Sequence, residues 1–172
     1  MTLPIHNIKI ADIGFSMKPA ILKTNSLGSC VGILLYDPSK HFGGIIHALL
    51  PTSFESKTEQ YGKYVNTSIE YLVNSFHSSG SKASDICAMI FGGSHMIFQT
   101  TCSNLSTIGE RNISETISQL NKLNIPIVAQ DTGGMIPRTV EFNTNTGIVT
   151  LYLLKENVKS YNFNQKKLIL FG

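Results

Sequence analysis

Charge is scarce in this sequence: Asp, Glu, Lys and Arg make up only 15% of 172 residues, against 42% hydrophobic. That balance belongs to an ordinary soluble globular protein, not to a disordered chain. Adjacent positive charges are scarcer still. Lys166-Lys167 is the only such pair and the formal net charge is +3, so no nucleic-acid footprint is present. No apolar run reaches the ~20 residues of a membrane span, and no charged-then-apolar signal segment opens the chain. A cytoplasmic protein without membrane insertion is therefore expected. Cysteine is rare and odd in number: Cys30, Cys87 and Cys102. This excludes a disulfide framework and implies free thiols in a reducing compartment. Cysteine and histidine nowhere fall in paired ligand spacing, so no metal is expected. Gly92-Gly-Ser94 and Asp131-Thr-Gly-Gly134 could be phosphate loops by composition, but neither matches a nucleotide fingerprint. Repeats and low-complexity segments are lacking.

What is present is an alternation of strands and helices in a single domain, 1–172. Ile8–Ile13 and Ala20–Thr24 read as short strands. Val31–Tyr36 is an almost unbroken apolar run closed by Asp37-Pro38, and Gly43–Leu50 repeats it before Pro51. Thr52–Gln60 reads as a polar loop. From Tyr61 the period becomes helical, with Val65, Ile69, Leu72, Val73 and Phe76 on one face and Gly80 closing the helix. Ile86–Phe91 reads as a buried strand, Thr100–Thr107 as a polar loop, and Gly109–Leu123 as a second helix. Pro126–Gln130 is a further strand. Arg138–Asn143 and Ile148–Leu154 form a hairpin about Thr144-Asn-Thr-Gly147, and Leu168–Phe171 could supply an edge strand. The order predicts α/β (α+β) layering, with a mixed sheet and helices packed on it.

The chemistry concentrates between Thr24 and Pro51. Gly28-Ser29 makes a tight turn immediately before Cys30, at the head of an apolar strand; His47 lies in the next apolar run. A thiol on a turn beside an imidazole is the pair a nucleophilic site requires, because the thiolate attacks and a free thiol near pKa 8.5 ionises little at neutrality. Free backbone N–H groups at Gly28-Ser29 can face a developing oxyanion. A third group must orient the imidazole; Thr24, Asp131 and Asn112 qualify by side-chain type. The same residues also read as a small buried hydrophobe and a hydrogen-bonded core histidine. Pattern alone stops at a candidate cysteine hydrolase, with Cys87 and Cys102 inert.

A set of blocks carries this further. They are Leu27-Gly-Ser-Cys-Val31 with Tyr36-Asp-Pro38; Gly43-Gly-Ile-Ile-His47 with Leu50-Pro51; Lys57-Thr58 with Gly62-Lys-Tyr64; Gly92-Gly93 with Ile108-Gly-Glu-Arg-Asn112; and Asp131-Thr-Gly-Gly134 with Arg138 and Glu141. In this order they resemble the CheD family, the chemoreceptor glutamine deamidases of bacterial and archaeal chemotaxis, from about Ile8 to Leu154. The resemblance implies a catalytic Cys30, His47 and Thr24, with Gly28 and Ser29 at the oxyanion turn. It implies a protein-glutamine glutaminase that hydrolyses particular glutamines of methyl-accepting chemotaxis receptors through a thioester, without metal or cofactor. It also implies a CheC-type phosphatase of CheY as partner, and hence an alternative role as a non-catalytic binding module regulating that phosphatase. The fold implied is a three-layer α/β/α sandwich resembling bacterial toxin deamidases. One departure falls beside the turn: Asn25-Ser-Leu27 stands where the family more often has Leu-Gly-Leu. Phe15, Phe42, Met96 and Arg138 are rim candidates for substrate recognition.

Overall fold

The computed structural model describes residues 2–55, 59–95, 106–154 and 157–165. Among them are β1 (Ile5–Asn7), β2 (Asp12–Ser16), β3 (Ile21–Leu27), β4 (Val31–Asp37), β5 (Phe42–Ala48), α1 (Val65–Ser78), β6 (Cys87–Gly92), α2 (Ile108–Lys122), β7 (Ile127–Thr132), β8 (Arg138–Asn143), β9 (Ile148–Tyr152) and β10 (Val158–Asn162). The strands form two five-stranded mixed sheets, in the orders β1-β3-β8-β9-β10 and β2-β5-β4-β6-β7.

The unbroken apolar runs belong to the centre of the second sheet. All seven residues of β4 and all seven of β5 are buried, as both faces of that sheet are covered. On one face Val31, Ile33, Leu35, Ile46 and Ile90 meet Val65, Ile69, Leu72 and Phe76 of α1 and Leu120 of α2. Phe42 stacks on Phe76 there, centroids 4.0 Å apart. On the other face Leu34, Tyr36, Ile45, Met89 and Phe91 meet Leu22, Leu27, Val140, Phe142, Val149 and Leu151 of the first sheet. The first sheet alternates buried and half-buried positions, as a sheet covered on one side must; β8 reads that way along its length.

The mixed α/β class is as expected, and so is the count of three layers. Their order is helices, sheet, sheet: the face opposite the helices carries the first sheet where the α/β/α reading places a helical layer. The alternation of β8 and β9 already holds the reason, because such strands bury one face and need a sheet or helix to bury it against. The run Ile8–Ile13 is not one strand. Residues 8–11 carry the chain from β1 in the first sheet to β2 in the second, with Ala11 at φ 63°, and Ile8 keeps its side chain in the core between the sheets. β10 is missing from the sequence reading because Val158–Asn162 is largely polar and exposed; pairing to β9 and the contact of Tyr161 with Phe91 make it a strand. Leu168–Phe171 and most of Thr100–Thr107 lie outside the described residues.

Phe76 sits in the helix-to-sheet core with no measurable exposure. Phe76→Ala should lower the unfolding free energy by roughly 3–5 kcal/mol, read as a fall in denaturant midpoint at unchanged slope.

Candidate active site

The two sheets face each other where β3 passes β5, and there Thr24 meets His47. Both are buried, at 0% and 1% exposure. Thr24 Oγ1 lies 2.7 Å from His47 Nδ1 and donates its hydrogen to the carbonyl oxygen of Ile8 at 2.8 Å. A hydroxyl has one hydrogen, and a carbonyl can only accept, so the imidazole must donate from Nδ1. The tautomer follows: Nε2 carries the lone pair. Nε2 is buried and has no partner among the described residues.

Cys30 stands on the same side of the second sheet. His47 pairs with Gly32 across β4 and β5, and Cys30 precedes Gly32 by two residues, in the diagonal position about 7–8 Å away; Sγ and Nε2 are not hydrogen-bonded to each other. Gly32, opposite the imidazole, puts no side chain between them. Cys30 joins the apolar cluster between the sheets with 6% exposure. Burial pushes its thiol up from 9.0, while its own backbone N–H favours the thiolate. Burial also pushes His47 down from 6.5 to about 4, since an imidazolium would need an acceptor at Nε2. The resting pair is thus a neutral thiol beside a neutral imidazole. One proton passing from Sγ to Nε2 would leave the site's net charge unchanged.

The turn before Cys30 has every carbonyl engaged. Gly28 O accepts from Ser94 N at 2.7 Å, and Cys30 O accepts from Gly93 N at 2.7 Å. Ser29 O accepts from Asn112 Nδ2 at 2.9 Å. The N–H groups of Gly28, Ser29 and Cys30 have no partner from another residue among those described. Such a turn is held rigid from behind with its donors outward, as an oxyanion site requires. Ser94 is itself held: Arg138 Nη1 donates to its Oγ at 2.8 Å, and Arg138 pairs with Asp131 at 2.7 Å. Between Thr24 and the turn, β3 bulges. Thr24 pairs with Val140 and Leu27 with Arg138, leaving one extra residue on β3, and Ser26 takes φ 57°.

All five site residues of the sequence reading gather at this end of the sandwich. The other orienting candidates do not reach the imidazole. Asp131 is taken by Arg138 and Lys159, and Asn112 binds backbone carbonyls. Of the rim candidates, Phe15 is exposed on β2, but Phe42 is core and Arg138 is buried in its ion pair; Met96 lies outside the described residues. The bracing role of Ser94 and Asn112 had no signal in their own neighbourhoods, because each acts on a segment far away in the chain. Among the described residues no group of three or more His, Cys, Asp or Glu could hold a metal ion, and no helix is long and apolar enough to cross a membrane.

A thiol and a tautomer-fixed imidazole on one face between the sheets of a mixed α/β fold make a candidate thiol–imidazole site. Comparison with known proteins gives the particular family. The family model described as CheD, chemotactic sensory transduction, matches residues 49–152. The "Chemoreceptor glutamine deamidase CheD" of Bacillus subtilis (strain 168) is 34% identical over 158 residues, covering 91% of this chain and 95% of that protein. The "Probable chemoreceptor glutamine deamidase CheD" of Lachnoclostridium phytofermentans is 38% identical over 162 residues, covering 94% and 96%. The chain belongs to the CheD family. Among solved structures, the Bacillus licheniformis hypothetical protein YfiH overlaps with TM-score 0.47 at 16% identity, over 74% of this chain and 58% of that one, too loosely to carry a fold argument.

Two outcomes test this geometry. Because the His47 pKa is lower folded than unfolded, the unfolded chain binds more protons between about pH 6.5 and about 4. Stability contributed by neutral His47 is complete above that window and lost as pH falls through it, by about 3 kcal/mol at the acid end. Urea unfolding of His47→Gln should lack this component; an unchanged acid limb would show that the imidazole is not buried neutral. Separately, Ser26→Gly relieves a left-handed serine and should raise stability by roughly 0.5 kcal/mol. A lower denaturant midpoint would contradict the bulge.

Proposed function

We propose that the chain is a protein-glutamine glutaminase that converts specific glutamine side chains of methyl-accepting chemotaxis receptors to glutamate, releasing ammonia. The observation that carries this reading is the single hydrogen of Thr24: committed to Ile8 O, it makes His47 present a bare Nε2 on the face that holds Cys30. The names of the relatives supply the substrate class.

In this reading Nε2 takes the Sγ proton as sulfur attacks the carboxamide carbon, and the carbonyl π pair moves onto oxygen. The N–H groups of Gly28, Ser29 and Cys30 receive that oxyanion. The imidazolium returns its proton to the departing nitrogen, the C–N bond breaks, and ammonia leaves a thioester on Cys30. Nε2 next takes a proton from water, whose oxygen attacks the thioester carbonyl. Collapse breaks the C–S bond and frees the glutamate side chain, and the proton goes back to sulfur. Thr24 holds the ring throughout and steadies the imidazolium through Nδ1. A threonine hydroxyl is a weaker partner than a carboxylate, so the charge-neutral transfer from thiol to imidazole matters more here than in a site with an acidic third member. No step calls on a metal or a cofactor. The single domain works in the cytoplasm, where receptor signalling domains are reachable, and a CheC-type phosphatase is the further partner that family membership suggests.

The test is incubation of a purified receptor cytoplasmic domain with the protein and with Cys30→Ala, followed by peptide mass spectrometry. The wild type should produce amide-to-acid mass gains at particular glutamines, and Cys30→Ala none. Gains that persist with Cys30→Ala would remove the thiol mechanism. A folded wild type giving none would leave the binding-module reading in its place.

A further inference from the structure

Helix α2 packs on the face of the second sheet away from Thr24, yet one of its side chains reaches the turn before Cys30. Asn112 is fully buried. Its Nδ2 donates to Ser29 O at 2.9 Å and to Leu49 O at 3.1 Å. Ser29 immediately precedes the thiol residue, and Leu49 follows the histidine by two positions. One amide group therefore ties together the two segments that present Cys30 and His47.

Both partners are carbonyl oxygens, which only accept, so the amide has one admissible orientation. Oδ1 is then turned from both, buried and without a partner among the described residues. Leaving a buried acceptor unmade is destabilising. A leucine of similar shape would remove that orphan and still fill the space between helix and sheet, but it would leave Ser29 O and Leu49 O without their donor. The amide does something leucine cannot: it pins two backbone carbonyls to one rigid planar group.

The helix is a fixed anchor for this. Its first turn is closed by a capping box, with Thr107 Oγ1 accepting from Glu110 N and Glu110 accepting from Thr107 N. Gly109 packs so closely on Gly93 that a Cβ at Gly109 would collide with the Gly93 carbonyl. Gly93 N in turn holds Cys30 O. Helix, turn and strand end are thus indexed to one another through backbone groups.

We infer that Asn112 is a positioning residue for the reaction: its bifurcated clamp on Ser29 O and Leu49 O sets the separation of Cys30 Sγ and His47 Nε2. The inference rests on the thiol–imidazole mechanism proposed above. Small displacements within such a pair are costly, about 100-fold in rate for ~1 Å. Loss of the clamp should therefore act on proton transfer and attack, with little effect on receptor binding.

Asn112→Leu is the variant to make in the full chain, with thermal unfolding recorded on the same samples. Deamidation of the receptor domain should show kcat down about 10- to 100-fold with KM nearly unchanged. Without the base that takes the Sγ proton, His47→Ala should be alkylated at Cys30 by iodoacetamide only at alkaline pH, and Asn112→Leu should move toward that profile. A folded Asn112→Leu with wild-type kcat and a wild-type alkylation profile overturns the inference. Should that variant not fold, Asn112→Asp decides: its neutral carboxyl keeps one donor and its ionised form none. The ratio of its alkylation rate to that of the wild type should then fall as pH rises, and a ratio flat in pH is the contrary result. The underlying mechanism fails differently: there, wild type and His47→Ala share one alkylation profile whatever residue 112 is.

Discussion

One hydrogen atom organises this molecule's chemistry. Thr24 has a single hydroxyl proton, and the carbonyl of Ile8 takes it. Everything at His47 follows: Nδ1 donates, Nε2 is bare, and the ring is fixed in rotation by a bond to the opposite sheet. Residues 8–11 cross from one sheet to the other at this end of the sandwich and bring the Ile8 carbonyl to the Thr24 hydroxyl. The crossing is thus a structural element of the site, although it carries none of its reactive groups.

Around that bond the protein uses burial in a consistent way. Taken singly, both members of the pair are pushed away from charge, the thiol upward and the imidazole down to about 4. A buried site of this kind does not store a thiolate. In the proposed mechanism it holds a neutral pair whose charge separation would become favourable once a carbonyl approached and the oxyanion found its donors. The turn itself is braced from behind: its three carbonyls are held by Ser94, Asn112 and Gly93, and Ser94 is held by the Arg138–Asp131 pair.

The buried polar atoms without partners among the described residues are His47 Nε2, His95 Nδ1 and Asn112 Oδ1. Two of these residues, His47 and Asn112, hold the site, and the third follows Ser94, which grips Gly28. Elsewhere polar groups are satisfied with ordinary thrift; Asp37, for example, is bonded by Ser39 and Ser81. His47 Nε2, His95 Nδ1 and Asn112 Oδ1 all lie in segments that converge on the turn before Cys30, a pattern in keeping with the proposed site.

Local pattern in the chain determined a good deal. The unbroken apolar runs of β4 and β5 announce strands covered on both faces, the helical spacing from Val65 to Phe76 announces α1, and Gly28-Ser29-Cys30 announces a turn that delivers a thiol. Motif order made the family recognisable, and with it Thr24, Cys30 and His47. These features are legible because each depends on residues a few positions apart. What the tertiary structure alone decided depends on groups far apart in the chain: that the layer facing the helices' sheet is another sheet, that the orienting partner of His47 is Thr24 and not Asp131 or Asn112, and that Asn112 grips residues 83 and 63 positions away. No spacing encodes which carbonyl takes a hydroxyl proton, and that choice settles which nitrogen of His47 carries its own.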